Sequence, residues 1–407
     1  MIESVVVAGA GQTAAVAART LRRRGFDGRV TLVGAEDDAP YQRPPLSKEY
    51  LAGGQDRAEL CLLTPDWCAA NDVELRLGVA AAAVRPAERA LELADGTSVR
   101  GDALLIATGG RPRELPGVRG DRVRHLRTVA DADRLRADLR PGARVAVIGA
   151  GFIGCEVAST ALARGAHVTV VERAGRPLGH VLGDLMGDVM AALLRTNGVD
   201  LRTGETVERY AETASGAVLT TGSGTVLEAD VVVVGAGMVP NVEPAAGAGL
   251  DTAGGIPVDA HCRTALGGVY AAGDVARQWR PRLGGHARAE HFDNANAQGM
   301  TAAKNILGLD SANDAPPWFW SDQFGHGLQH TGHGEGTDRL VVRGRVEDFD
   351  FIAFYLTRDG VLRAAFTVDR GGDLAVARQL IAGGAVVDPD VLRDEDADLT
   401  DLFDSLS

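Results

Sequence analysis

The chain has 407 residues, which at ~100–200 residues per domain gives room for about two to four domains with sizeable cores. Hydrophobic residues make up 45% and charged residues 24%, the balance of a globular protein, which excludes a disordered or fibrous chain. A formal net charge of -13 disfavours nonspecific attraction to nucleic acid, and no apolar run reaches the ~18–20 residues of a membrane-spanning helix.

At the N-terminus a strand-like run, Val5-Val6-Val7, begins at once, without a basic n-region, apolar h-region or cleavage site, so a cytoplasmic protein is expected. The first of two segments with a shared grammar starts here. It reads Val5-Val6-Val7-Ala8-Gly9-Ala10-Gly11-Gln12-Thr13-Ala14, then a helix to about residue 24 with Gly25 as its cap, then a strand over 30–33 leading to Glu36. Strands over 73–77 and 91–93 follow, then a turn at Asp95-Gly96 and a buried strand over 103–107 that ends at Thr108-Gly109-Gly110. The second segment runs from a strand over 145–148 into Gly149-Ala150-Gly151-Phe152-Ile153-Gly154, a helix to about 164, Gly165 as cap, and a strand over 168–171 ending at Glu172.

Further on, a valine run over 231–234 ends at Gly235-Ala236-Gly237, and a strand over 269–272 ends at Gly273-Asp274 ahead of a helix over about 294–307. Pro316-Pro317 marks a boundary. Beyond it 340–345, 349–356 and 361–368 alternate as antiparallel strands, 374–382 reads as a helix, and the acidic 394–404 tail is expected to be a solvated edge.

In a dinucleotide fingerprint the first glycine makes the tight turn, the second lets backbone approach the pyrophosphate, and the third lets helix and strand pack closely. The helix N-terminus then offers amide donors to the phosphates. At the first site Ala14 replaces the third glycine. An acid at the end of the next strand can take the adenosine ribose hydroxyls, and Glu36 and Glu172 stand there, 22 residues beyond Ala14 and 18 beyond Gly154. One such match is common by chance; two complete units imply two bound dinucleotides. Glu172 repels a 2′-phosphate, which favours NADH over NADPH, while Arg173 beside it pulls the other way.

The stretch Pro40-Tyr41-Gln42-Arg43-Pro44-Pro45-Leu46-Ser47-Lys48 resembles the signature of the FAD-dependent NADH:ferredoxin reductases that serve bacterial cytochrome monooxygenases and aromatic-ring dioxygenases. The likeness continues through Ala107-Thr108-Gly109, 149–156, Val239-Pro240-Asn241, Ala272-Gly273-Asp274 and Trp318-Phe319-Trp320-Ser321-Asp322-Gln323, and covers essentially the whole chain. It implies an α/β fold with two Rossmann-like dinucleotide-binding domains in a glutathione-reductase-like arrangement plus a C-terminal α+β domain. Residues 1–112 and 236–315 would form a discontinuous FAD domain around an NAD domain at 113–235, with 316–407 as the C-terminal domain. The motif order supports the insertion, because Asp274 returns to FAD after the NAD fingerprint.

By the same resemblance Arg43 would approach the FAD pyrophosphate as a fixed positive fork. Lys48 would reach the flavin edge near N5 with Glu156 as its partner, and Asp274 would accept from the ribityl chain. Ala81, Thr108, Gly109 and Gly237 would add further cofactor contacts. Phe292, in Glu290-His291-Phe292-Asp293-Asn294-Ala295, stands near the isoalloxazine where relatives often carry tryptophan. Trp320 would cover the flavin or nicotinamide and exclude water. Plainer roles stay open: a surface Arg43, a helix-capping Lys48 with a solvent-facing Glu156, a turn residue at Asp274, and core packing of Trp320 beside Trp318 and Phe319.

Cys61, Cys68, Cys155 and Cys262 show neither CxxC spacing nor a disulfide framework and are expected as buried small hydrophobes in a reducing compartment. Disulfide reductases of this architecture place a CxxxxC pair beside the flavin, where one thiolate attacks substrate and the other receives electrons. The corresponding segment here is Pro44-Pro45-Leu46-Ser47-Lys48, so electrons are expected to leave the flavin directly. Flavin links the two-electron donor NADH to a one-electron [2Fe–2S] ferredoxin. Arg277, Arg280, Arg282 and Arg288 surround Trp279 on an expected loop that either docks an acidic ferredoxin or is simply solvated. His326, His330 and His333 fall in a glycine-rich run with no carboxylate at ligand spacing, expected as a surface loop rather than a metal site. Two other functions remain: an NADH oxidase or quinone or small-molecule reductase, and a redox-signalling NADH-binding flavoprotein. A monomer or weak homodimer is expected.

Overall fold

The computed structural model describes residues 2–334 and 337–406. They fall into two compact units, one made of Met1–Arg43, Arg57–Arg111 and Met238–Ala315, the other of Pro44–Asp56, Pro112–Gly237 and Pro316–Ser407.

The first unit is built on a five-stranded parallel sheet in the order Val269–Ala271, Ala103–Ile106, Ser4–Ala8, Arg29–Val33, Val73–Arg76. Parallel strands are covered on both faces, which is why they read as unbroken valine, leucine and isoleucine rather than as alternation. All five residues of Ser4–Ala8 are buried. The helix Gln12–Arg23 turns Ala14, Ala15, Ala17, Ala18 and Leu21 inward. Small residues there let the helix Phe292–Ile306 approach so closely that a Cβ on Gly299 would collide with the Thr13 carbonyl. An antiparallel sheet, Ala81–Arg85, Ala90–Leu93 and Ser98–Arg100, flanks this core.

In the second unit the parallel order is Asp200–Thr203, His167–Glu172, Arg144–Ile148, Val231–Val234, Val123–Arg124. The C-terminal sheet is antiparallel, in the order Trp318–Gln323, His326–Gly332, Leu362–Val368, Asp350–Leu356, Arg339–Arg345. The helix Gly371–Gly383 buries Leu374, Ala377, Leu380 and Ile381 in the same core as Ile352, Phe354 and Leu362. Two Rossmann-like sheets and a C-terminal α+β domain are thus the architecture expected from the motifs.

Two expectations need correction. The glycine- and histidine-rich run at 325–334 is not a surface loop, since His326–Gly332 is the second strand of the C-terminal sheet. Phe324 and Gly325, both at positive φ, make the two-residue turn that leads into it, and a phenylalanine in that position hides the hairpin from the eye. The run at 277–288 is a hairpin, Ala276–Arg280 paired with Gly285–Ala287. The acidic tail keeps Asp394, Glu395, Asp396 and Asp398 exposed, the solvated edge expected, and is fastened by its apolar residues: Leu399 is buried with Leu402 and Phe403 against the C-terminal core, and Arg343 donates to the carbonyls of Asp394 and Ala397. Among the described residues no helix is long and apolar enough to cross a membrane.

Candidate functional site

Both fingerprint turns have the backbone their chemistry requires. Gly9 and Gly149 sit at φ +129 and +104, and a Cβ on either would strike the carbonyl of the strand that crosses below, Ala107 in one case and Gly235 in the other. Gly11 and Gly151 are the N-caps of the two helices, neither helix has a side-chain cap, and a Cβ on either glycine would meet nothing within 4 Å. The N-terminal amides therefore face forward uncapped, as a phosphate cradle needs. At the third position the units differ. A Cβ on Gly154 would run into the Gly149 carbonyl, whereas Ala14 is accommodated and fully buried.

Each acid lies in its expected place beyond the second strand, with different partners. Glu36 accepts from Arg43 at 2.5 Å and from the Tyr41 hydroxyl, and Arg43 also lies 2.7 Å from that hydroxyl. Burial pulls the Arg43 guanidinium down, but Tyr41 and Glu36 outweigh it and hold the group above its ordinary value. Glu172 instead accepts from two backbone amides, Ala150 at 2.6 Å and Ala174 at 2.6 Å.

In the second unit Lys48, Glu156 and Trp320 come together. Lys48 occupies the N-cap of the short helix Glu49–Ala52, but its ammonium turns away to Glu156 Oε2 at 2.9 Å and the Pro44 carbonyl at 3.3 Å. Glu156, on the helix Phe152–Ala163, is 3% exposed, so it does not face solvent. Its Oε2 also accepts from Ser47, and its Oε1 accepts from Ser321 at 2.6 Å. A buried charge is tolerated only with such partners. Trp320 is half-buried, lies 6.0 Å from Lys48 Nζ, and stacks on Trp318 with ring centroids 5.3 Å apart. Phe319, between them, is the core residue, packed on Phe152 at 4.4 Å. Ser47 and Ser321 had no role in the sequence reading, although each adjoins a residue that did.

In the first unit Thr108 and Gly109 join Asn241, since the Asn241 side chain donates to the Thr108 carbonyl at 3.0 Å and its backbone amide to the Gly109 carbonyl at 2.9 Å. Two motifs far apart in sequence are therefore one feature. The turn at Asp274 follows Gly273, whose amide donates to the buried Gln298 side chain at 2.7 Å. Phe292 opens the helix Phe292–Ile306, and Ala81 begins its strand. Gly237, in the second unit, is at φ +88 and accepts from the Arg113 amide.

The four arginines of the 277–288 run have different surroundings. Arg280 is buried and hydrogen-bonds Asn294 at 3.0 Å, and burial draws its guanidinium below the usual range, so it is a structural residue and not a surface charge. Arg277 pairs with Asp251, Arg288 with Glu290, and Arg282 lies 3.8 Å from Asp314. Trp279 is exposed and packs edge-on against His286. The three histidines diverge: His326 pairs with Asp369 at 2.7 Å, His330 is buried and stacked on Phe319, and His333 lies just past the strand. All four cysteines are free; Cys155, beside Glu156, is fully buried, and burial drives its thiol far above the ordinary range.

Residues 3–299 match the pyridine nucleotide-disulphide oxidoreductase family and residues 318–403 match the reductase C-terminal family. The chain is 41% identical to the ferredoxin–NAD(+) reductase component of the anthranilate 1,2-dioxygenase system of Burkholderia cepacia, over 96% of each chain. With putidaredoxin reductase of Pseudomonas putida it shares 38% identity over 98% of this chain and 97% of the other. Against the crystal structure of the covalent putidaredoxin reductase–putidaredoxin complex the TM-score is 0.95, at 36% identity, covering 99% of both chains.

Proposed function

We infer that this chain, which belongs to the pyridine nucleotide-disulphide oxidoreductase family and carries a reductase C-terminal module, is an FAD-dependent NADH:ferredoxin oxidoreductase. The net reaction takes one NADH and two oxidised ferredoxins to NAD+, two reduced ferredoxins and one proton. The single observation that carries this reading is the buried Lys48–Glu156 ion pair, on the segment where disulfide-reducing relatives need two cysteines. With no thiol pair there, the electrons have a direct exit to a one-electron acceptor.

Bound FAD would supply the link, accepting two electrons together and releasing them singly. Residues 1–112 and 236–315 are assigned to FAD: Gly9, Gly11 and Ala14 would seat its pyrophosphate at a helix N-terminus, Glu36 would take the ribose, and Arg43 would neutralise phosphate. Ala81, Thr108, Gly109, Asp274 and Phe292 would complete that binding. In 113–235 Gly149, Gly151 and Gly154 would hold the NADH phosphates and Glu172 its ribose hydroxyls, and Gly237, two residues past that domain, would add a further cofactor contact. The Lys48 ammonium, held by Glu156, would favour added negative charge on a reduced ring, and Trp320 would keep water from the reacting face. None of these residues needs to act as a general base.

The partner is a small iron–sulfur ferredoxin, of [2Fe–2S] type, that feeds an oxygenase. Its docking on this chain falls to the exposed side of the hairpin at 276–287, with Trp279 and Arg282 rather than Arg280. Replacing Arg282 with glutamate then weakens ferredoxin reduction at low salt and leaves ferricyanide reduction unchanged. A cytoplasmic setting fits four free thiols. Stopped-flow reduction with NADH or NADPH, followed by mixing with a panel of ferredoxins, tests the whole reading. Rapid flavin reduction by NADH with transfer to at least one ferredoxin is the expected result; fast NADH consumption by oxygen alone, with every ferredoxin inert, would replace it with an oxidase.

A further inference from the structure

We propose that Ser321 is a positioning residue for the Lys48–Glu156 pair, fixing the carboxylate from the C-terminal sheet and tying its place to that of Trp320. This rests on the reading that the pair serves the flavin.

A serine hydroxyl has one hydrogen to give. Gln323 Nε2 donates to Ser321 Oγ at 2.8 Å, which occupies one lone pair and leaves the hydrogen for Glu156 Oε1 at 2.6 Å. Ser321 is fully buried, so water does not compete for either role. On the other carboxylate oxygen Ser47 and Lys48 converge, and Ser47 is itself anchored because Thr160 Oγ1 donates to its carbonyl at 2.8 Å. With one oxygen gripped from Trp318–Gln323 and the other from Pro44–Ser47, the carboxylate cannot turn about its last bond. Side chains alternate along a strand, so Ser321 reaches Glu156 while Trp320, one residue earlier, stacks on Trp318 and lies 6.0 Å from Lys48 Nζ. One strand thereby sets both the ion pair and the indole.

Each donor on Glu156 compensates its negative charge. Removing one leaves more uncompensated charge beside Lys48, which disfavours an anionic reduced ring. The bound-flavin midpoint potential, measured by dye equilibration on FAD-loaded protein at fixed pH, reads this directly. Ser321→Ala and Ser47→Ala are expected to move the midpoint to more negative potential, Ser321→Thr to restore it, and Glu156→Gln to move it to more positive potential. If Ser321→Ala does not load FAD, Ser321→Cys, which leaves no cavity but donates only weakly, makes the same comparison. Should Glu156→Gln leave the potential unchanged, the placement of the pair at the flavin fails and the proposal with it. Should Glu156→Gln shift it while the folded serine variants keep the wild-type value, the positioning role alone is overturned.

Discussion

In the first fingerprint unit Glu36 is held by side chains, those of Arg43 and Tyr41, whereas in the second Glu172 is held by the backbone amides of Ala150 and Ala174. Ala150 lies inside the glycine turn itself, so the second acid and its phosphate loop form one stiff module. The first acid depends on a separate segment, 40–43, that must be in place around it. A site completed by an enclosing segment suits a cofactor that stays. A site whose parts are fixed to one another suits a cosubstrate that enters and leaves every turnover, because nothing need be rebuilt each time.

The sharpest way to break this comparison is to block each turn separately. Gly9→Val and Gly149→Val both force a side chain into a crossing carbonyl at a positive φ. Gly9→Val is expected to yield protein without FAD, read from the ratio of flavin to protein absorbance. Gly149→Val is expected to retain FAD and to lose on the order of 100-fold or more in the rate of reduction by NADH, about 2.7 kcal/mol or more of transition-state binding. Loss of FAD from Gly149→Val, with Gly9→Val still yellow, would reverse the assignment of the two units. Gly154→Ala is expected to destabilise by about 1–3 kcal/mol from overpacking against the Gly149 carbonyl, measurable as a lower denaturation midpoint.

Next in size is the acid of the second unit. If Glu172 takes the ribose hydroxyls as proposed, Glu172→Ala removes two acceptors for them, each hydrogen bond to a charged group contributing about 1.5–3 kcal/mol, so kcat/KM for NADH is expected to fall at least tenfold. The same change relieves repulsion of a 2′-phosphate beside Arg173, and the ratio of NADPH to NADH efficiency is expected to rise. A ratio that stays fixed would mean that Glu172 does not discriminate between the two nucleotides.

How far these features could be read from the chain depends on the distance over which they are specified. The fingerprint turns are local: strand, glycines, helix and acid follow within some 30 residues, and the parallel sheets came out as expected. The strand His326–Gly332 was hidden because Phe324 takes a left-handed conformation that asparagine or glycine usually signals, and because glycines and histidines blur its alternation. Arg280 reads as a surface charge until the helix bearing Asn294 folds over it. Ser321 is 165 residues from Glu156, and no spacing rule joins a hydroxyl to a carboxylate across that length. Nonlocal polar partners are what sequence patterns omit, and they define the Lys48 site.

The smallest expected effect concerns Ala14, the one point where the first fingerprint departs from three glycines. Its side chain is fully buried, in the same core as Ala17, Ala18, Ala302 and Ala303. Glycine there loses that methyl packing and adds backbone freedom to the unfolded chain, a cost of roughly 0.5–1 kcal/mol, with no gain expected in access to phosphate because the space above Gly11 is already open. Ala14→Gly is therefore expected to lower the denaturation midpoint slightly and leave FAD affinity within about twofold. A marked gain in FAD affinity would show instead that Ala14 holds the helix back from the cofactor. The tolerance of alanine in the first unit would then be a compromise, and not, as the packing indicates, the better fit.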